Sequence, residues 1–461
     1  MTNDELEGFE LFGGSEDSVT PEECGIQSYH FNGGFATDSL SWTRYAVYMN
    51  FEFKIPPSYY HDFVQIEVEI PVQRYLTALH RRIHHLTDMI SIYLDLPAHH
   101  TSLFHPRTRS KTSCGVSHIM CIRLTPLLRD LYSKSGLSED FFGGVEPLVK
   151  MCFRNLFESC AVCDQPLVGI FSIRLTYCDN DACSFSFTEL GVGFSVLAFI
   201  QKSPQVTELL LTFALNAVTD RDKERLFENC PTDFANEPIA YEDIAHEIKS
   251  INPITHYQSL THENQLRKVL GEKRLRLLRW IIATNRSLIA HIPETSRYYH
   301  RSLGGTQFLL SAVDPKREVE FQRLAQNGYV WTFHGSPAGC WWRIIGRNQS
   351  LLNLSGTSLQ RHGRILGYGV YASPFPSVAR IYGKKFTSRN DLLPSGSAIV
   401  ACQIASNNGF DYTRRGNSRH YVVRDSKYIF PRYFIINANN EPTLSGIIPD
   451  FSSEEALAEL F

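Results

Sequence analysis

The sequence predicts an α+β protein, and three patterns carry that reading. Strand-like runs with period-two alternation come early, helical periodicity fills the middle, and short apolar runs broken by Gly, Pro and Asn come last. At 461 residues the chain exceeds what one hydrophobic core supports, so about two to four domains are expected. The 43% apolar and 20% charged content is that of a folded chain and excludes an extended disordered one. A formal net charge of −3 gives no electrostatic reason for a nucleic-acid partner.

Residues 1–40 are acidic and rich in Gly and Ser, the composition of a loose tail. Beyond them "RYAVYMNFEFKI", "FVQIEVEIPV" and "ISIYLDLP" read as strands, and "QIEVEIPV" alternates as a half-buried antiparallel strand does. Between them "QRYLTALHRRIHHL" places Tyr75, Leu79, Ile83 and Leu86 on one helical stripe. These elements predict a small N-terminal α+β domain over residues 1–145. Its "IPP" and "IPV" strand endings resemble RWD or ubiquitin-conjugating-like folds, and that resemblance implies a ubiquitin-pathway partner. His84, His85, His99, His100 and His105 invite a metal reading. Adjacent histidines on a helix point in different directions, however, and cannot readily face one ion.

The first residues, "MTNDELEGFELFGG", are acidic, whereas a secretory leader is basic and then apolar. The longest apolar candidate, "ELGVGFSVLAFIQK", is short for a membrane span and carries Glu189 and Lys202. The expected location is therefore cytoplasmic or nuclear, where thiols stay reduced. Eleven cysteines then need a core, metal or reactive role. Cys160-x2-Cys163 and Cys178-x4-Cys183, in a segment over residues 146–195, match a structural zinc site. Four thiolates close the coordination sphere and leave no open position for catalysis. Cys152 is a less well-placed substitute, and Cys24, Cys114, Cys121, Cys230, Cys340 and Cys402 read as small hydrophobes.

A helical region follows over 196–300. In "SPQVTELLLTFALNAVT" Ser203 and Pro204 stand at cap and first-turn positions. "TDRDKERLFENC" comes next, and "ENQLRKVLGEKRLRLLRWIIATNRSLIAHI" keeps helical periodicity throughout. After Pro293 the runs "QFLLSAV", "YVWTFHGS", "GYGVYASP", "SAIVACQIA", "HYVVRD" and "RYFIINA" predict the strands of a mostly β C-terminal region over 301–461.

Two stretches there carry chemistry. "YVWTFHGSPAGCWWRII" ends a strand in His334, Gly335 and Ser336, a place where a ligand could approach the backbone, and Trp341 and Trp342 begin the next helix. In "GYGVYASPFPSVARIYGKK" glycines bracket a strand that delivers Tyr371. A loop with two prolines then leads to Ser377 and a helix bearing Tyr382. Two such tyrosines could clamp a flat heteroaromatic ring, worth about 1 kcal/mol beyond area burial. A serine hydroxyl and a glycine backbone could bond a carboxamide on that ring.

Together, His334-Gly335-Ser336, Gly367-x-Gly369-Val370-Tyr371 and Ser377-x-Ala379-x2-Tyr382 resemble the poly(ADP-ribose) polymerase superfamily of diphtheria-toxin-like ADP-ribosyltransferases. "LLRWIIATNRSLI", "QFLLSAV", "FTELGVG" and the cysteine segment resemble its cysteine-rich mono-ADP-ribosyltransferase branch, which has fungal relatives. The resemblance covers roughly residues 145–440. It implies a C-terminal split mixed β-sheet cradling NAD, preceded by helical and zinc-bound segments and the small N-terminal α+β domain. It also implies NAD as substrate, structural zinc, and transfer of ADP-ribose to an acceptor protein, the chain itself included, with release of nicotinamide. Carried over by position, His334 bonds the adenosine ribose, and Gly335 holds the nicotinamide carboxamide through its backbone with Ser336 on the same edge. Ser377 bonds the carboxamide, Tyr371 and Tyr382 sandwich the ring, and residues 346–366 lie over the donor.

Chain-polymerising members place a glutamate on a late strand. Aligning "YVVRD" and "RYFII" puts His420 there, and a one-residue slip would put Tyr421 or Arg419 there instead. Histidine offers no fixed negative charge to an oxocarbenium-like transition state, so polymer elongation is not expected. Transfer of a single unit remains open to positioning and to the acceptor's own nucleophilicity. Arg414, Arg415 and Arg419 read as a solvated loop before His420, with attraction of acidic acceptors or pyrophosphate as the alternative. Two further readings stand beside transfer: a degenerate module that binds NAD or ADP-ribose without chemistry, and a zinc-stabilised scaffold.

Overall fold

The computed structural model describes residues 115–439 apart from breaks at 137–138, 155, 168–174, 179, 189–190, 192, 228–238, 286, 312–314, 346–366, 407–409 and 416–417. Upstream it describes 27–30, 50–55, 63–71, 81, 89–97 and 106–110. Two compact units emerge, one drawn from residues up to 70, 91–110 and 124–148, the other from 71–90, 111–123 and 149 onward. The stripe expected at Tyr75, Leu79, Ile83 and Leu86 lies outside the described residues, as do the five histidines from His84 to His105 and the segment 346–366.

The first unit is built on a five-stranded sheet in the order β1 (Gln27–His30), β2 (Asn50–Ile55), β3 (Phe63–Pro71), β4 (Met89–Pro97) and β5 (Arg107–Ser110). The alternating run "FVQIEVEIP" is β3, as its period predicts. Buried Asp95 on β4 is held by Arg109 of β5 through Nε at 2.8 Å and Nη2 at 3.1 Å. Two helices follow in the chain, α1 (Gly115–Ser135) and α2 (Glu139–Arg154), with Tyr132 edge-on to Phe141 at 6.0 Å.

The second unit opens with helices α3 (Asp181–Thr188), α4 (Val196–Lys202), α5 (Pro204–Val218), α6 (Lys223–Leu226), α7 (Tyr241–Ser250), α8 (Glu263–Leu270) and α9 (Glu272–Thr284). Pro204 takes the first helical position of α5, where its missing N–H costs nothing, and α5 is apolar nearly all round because it is buried on almost every side. The long run from Glu263 is not one helix. Gly271, at φ 77°, caps α8 and restarts the chain as α9, a conformation that costs glycine little. "LIAHI" then leaves the helix and becomes β6 (Leu288–Ile292), so the strands begin ahead of Pro293.

The remaining elements are β7 (Thr306–Ser311), α10 (Pro315–Leu324), β8 (Tyr329–Gly335), α11 (Ala338–Ile345), β9 (Val370–Ala372), α12 (Pro376–Tyr382), β10 (Ala398–Ala405), β11 (Phe410–Arg415), β12 (Ser418–Val423) and β13 (Ile429–Ile436). They form a five-stranded sheet in the order β6-β7-β13-β10-β8 and a three-stranded sheet in the order β11-β12-β9. A mixed sheet was expected; the described pairings are antiparallel throughout both sheets. A bridge between Phe333 and Ser373 joins the two, with Phe333 N donating to Ser373 O at 2.6 Å and Ser373 N to Phe333 O at 2.9 Å.

Both faces of the larger sheet are covered. Phe308, Leu310, Val400, Cys402, Ile404, Phe434 and Ile436 join the helical core, while Leu309, Ile399, Ala401, Tyr433 and Ile435 form a second core with Tyr298 and Leu303. That is why "AIVACQIA" reads as a continuous apolar run and not an alternating one.

A charged pair lies inside this apolar frame. Glu208 of α5 is fully buried, and Arg389, in the segment between α12 and β10, meets it with Nε to Oε1 at 2.7 Å and Nη2 to Oε2 at 2.8 Å. Arg389 also donates to the carbonyls of Ile248, Ile251 and Asn252. Removing one partner strands the other charge in the core. Arg389→Met is therefore expected to lower unfolding stability by about 3–5 kcal/mol, measured by denaturant titration. The double variant with Glu208→Leu should cost clearly less than that single change, and a double variant as damaging as the single one would refute this account.

Candidate functional site

The site begins where β8 ends. Along "YVWTFHG" Trp331 and Phe333 face the second core, and His334 takes the alternate face toward the helical one. There the indole of Trp341 on α11 stands edge-on to the His334 ring at 5.9 Å, and it is itself edge-on to Phe434 at 5.1 Å. His334 Nδ1 lies 2.8 Å from the Tyr371 carbonyl and Nε2 lies 3.0 Å from Ser336 Oγ. A carbonyl can only accept, so Nδ1 carries the proton and Nε2 of the neutral ring accepts from the Ser336 hydroxyl. Burial pushes the ionisation of His334 below its ordinary range, with the bond to the Tyr371 carbonyl opposing it in part.

Tyr371 sits at the centre of β9, and its hydroxyl donates to the Gly367 carbonyl at 2.7 Å. The register of the small sheet settles which neighbour shares its face. Val422 pairs with Tyr371 and Tyr421 with Ala372, so His420, two residues before Val422, projects on the Tyr371 side. Tyr421 packs against the helical core with Val370 and Ala372, and Arg419 shares its parity. Of the three candidates for the position, only His420 stands on the face of Tyr371. Arg414, Arg415 and Arg419 do not form a loop. Arg414 and Arg415 end β11, Arg419 belongs to β12, and Arg414 pairs with Arg419 in a hairpin. Polar side chains on a short edge hairpin carry the composition of a loop, which is why the run misreads.

Helix α12 closes the other side. A Cβ on Gly335 would lie 1.8 Å from the Ala379 carbonyl oxygen, so only glycine lets β8 approach this helix so closely. Tyr382, at the end of α12, is 44% exposed. Ser377 is also exposed, and it stands about 200° around the helix from Ala379. The structure thus brings together His334, Gly335, Ser336, Tyr371 and α12, but it does not turn Ser377 toward Gly335.

The cysteine prediction meets a compact cluster. The Sγ atoms of Cys160, Cys163, Cys178 and Cys183 all lie within 4.8 Å of one another, and Cys163 and Cys178 are 3.8 Å apart. A tetrahedral ion with bonds of about 2.3 Å needs sulfur separations of about 3.8 Å, so four thiolates here could hold such an ion. Cys160 and Cys163 flank a turn in which Asp164 N donates to Cys160 O at 3.0 Å, and Val162 N and Cys178 N each lie 3.4 Å from Cys160 Sγ. Burial raises the Cys160 ionisation, but the N–H groups of Cys163, Cys178 and Val162 outweigh it and the net direction is down. The four-residue spacer before Cys183 has a local cause that the spacing conceals. Asn180 Oδ1 accepts from Ala182 N at 2.9 Å and starts α3, so a helical first turn delivers Cys183. Cys152 is outside the group, and burial pushes its thiol up to about 11.

Comparison with known proteins follows this geometry. The chain is 30% identical over 270 residues to the mouse (Mus musculus) protein mono-ADP-ribosyltransferase PARP8, covering 54% of this chain and 31% of that protein. Its human (Homo sapiens) counterpart is 31% identical over 241 residues, covering 49% of this chain and 28% of that protein. These matches support a relationship to the poly(ADP-ribose) polymerase superfamily. The matches span less than a third of these relatives' own length, and no family model matches the chain. Of the two tryptophans expected to begin the helix, one of them packing under the sheet, it is Trp341 that packs against His334 and Phe434.

The depressed ionisation of His334 has a measurable sign. The unfolded chain takes up this proton at higher pH than the folded one. The stability due to neutral His334 is therefore complete above about pH 6.5 and is lost as pH falls below it. Unfolding midpoints between pH 8 and pH 5 should fall less steeply for His334→Gln than for the parent, in buffers spanning about three units around the free imidazole value. Identical slopes would show that His334 is not buried neutral.

Proposed function

We propose that the chain is an NAD-dependent protein mono-ADP-ribosyltransferase. The observation that carries this reading is the His334–Tyr371 pairing across the ends of β8 and β9, in a chain similar to proteins named mono-ADP-ribosyltransferases. In this reading His334 bonds the adenosine ribose with Ser336 beside it. The Gly335 backbone takes the nicotinamide carboxamide, and Tyr371 and Tyr382 stack on its ring. Ser377, exposed on α12, reaches the carboxamide only if the donor brings it there.

The bond between ribose C1′ and the pyridinium nitrogen breaks, and its electron pair leaves with neutral nicotinamide. A lone pair of an acceptor side chain forms the new bond to C1′, and any proton on that atom passes to water. His420 supplies a hydrogen bond beside the ribose but no negative charge, which suits one transfer and not elongation. The same position favours a second reading, a module that binds NAD without transferring it. The ubiquitin-pathway partner has no support in the relatives and is not part of this function.

The four cysteines are proposed to hold a structural zinc ion. Zinc supplies a cross-link between the Cys160–Cys163 turn and α3 when bound, and no step of transfer runs through it.

Incubation with labelled NAD should place covalent label on protein, read by mass spectrometry. Label absent while calorimetry still detects NAD binding would favour the binding module over the enzyme. Tyr382→Ala should weaken NAD binding by about fivefold or more, the loss of one ring stack at about 1–3 kcal/mol. Elemental analysis should find zinc near one equivalent, and Cys160→Ser with Cys178→Ser should lose it and melt at lower temperature. Retention of both zinc and melting temperature would overturn the metal assignment.

A further inference from the structure

Beneath the cysteine cluster lies a cation that the transfer chemistry does not use. The Arg123 side chain, on α1, is only 3% exposed. Its Nη2 donates to the Cys160 carbonyl at 3.0 Å and, at longer range, to the Ser159 carbonyl at 3.4 Å. Its Nε stands 3.0 Å from Asp164 Oδ1 without hydrogen-bond alignment, and Nη1 is buried with no acceptor among the described residues. Asp164, at 54% exposed, shares its charge with water and compensates a buried guanidinium poorly. A buried cation so placed calls for a buried anion.

The neighbouring cluster would provide it. Two positive charges of a divalent ion against four thiolates leave a doubly negative group, and Arg123 grips the backbone of Cys160, one of its ligands. We propose that Arg123 is the built-in counter-charge of a metal tetrathiolate, a positioning residue that holds the Cys160–Cys163 turn for metal. This inference rests on the zinc reading of the cluster. It goes beyond that reading by assigning the ion's affinity to a residue that does not ligate it, as groups outside the ligand shell commonly do.

Asp164 separates an electrostatic role from a merely bracing one. It follows Cys163 with φ 59°, a conformation asparagine also tolerates, and its carboxylate accepts from Ser159 Oγ at 2.7 Å, which an amide oxygen can also do. Asp164→Asn thus keeps the turn but removes a negative charge. If Arg123 acts by charge, Arg123→Met and Asp164→Asn change metal affinity in opposite directions. If it only braces the turn through Asp164, both weaken it.

The experiment uses the full chain, zinc affinity by chelator competition, and cobalt(II) absorption to report a tetrahedral thiolate site. Arg123→Met should bind zinc about 10- to 100-fold more weakly, while Arg123→Lys keeps most of the affinity and Asp164→Asn equals or exceeds the parent. Affinity of Arg123→Met within about twofold of the parent would overturn the inference, and so would Asp164→Asn weakening binding alongside it. Should Arg123→Met fail to fold, the Arg123→Lys and Asp164→Asn results decide alone. A parent chain that takes up neither zinc nor cobalt would remove the metal reading itself, and this inference with it.

Discussion

The pairing of Glu208 with Arg389 is the constraint on which the second unit turns. A carboxylate with no exposed surface on a buried helix is tolerable only if a cation reaches it with both forks aligned and its remaining protons find acceptors. Arg389 satisfies that demand by also bonding three carbonyls at the end of α7 and just beyond it. The partners are 181 residues apart in the chain, so the contact fixes one helix and the segment after α12 in a single arrangement. Phe386 and Leu393 bury themselves on either side of Arg389 in the same core, which leaves that segment little freedom.

Because α12 leads directly into this segment, its placement sets the helix against which Gly335 packs. The candidate donor site is thus assembled from strand ends whose positions are decided elsewhere: β8 by the sheet, β9 by the bridge at Phe333 and Ser373, and α12 by its buried continuation. The cysteine cluster shows the same economy. Its turn and the first turn of α3 are each ordinary local structure, and only their juxtaposition brings four sulfurs together.

Much of this was legible in the sequence, and the rest failed for physical reasons. The strands at β7, β8, β10 and β13 stand out because sheets buried on two faces demand unbroken apolar runs, and Gly or Pro marks their ends. The cysteine spacing carries its own chemistry. β11 was missed because "FDYTRR" has the polarity of a loop, and β6 because "LIAHI" prolongs the apolar rhythm of the helix before it. Which of Arg419, His420 and Tyr421 shares the face of Tyr371 depends on the cross-strand register, which no single-chain pattern contains. Nothing in the sequence ties Glu208 to Arg389, which stands 181 residues further along the chain.

The two-sided burial of the larger sheet also bears on how the protein can be divided. Its central strands, "AIVACQIA" and "IFPRYFII", bury both faces and are apolar apart from the bonded pair Gln403 and Arg432, and among the described residues one of those faces is covered by α5, α11 and their neighbours. Strip the helices away and what remains is a broad adhesive surface of high strand propensity, the kind that stacks on its own copies. The helical segment is therefore the sheet's solubility coat, and a cut between the two would expose the core that they share.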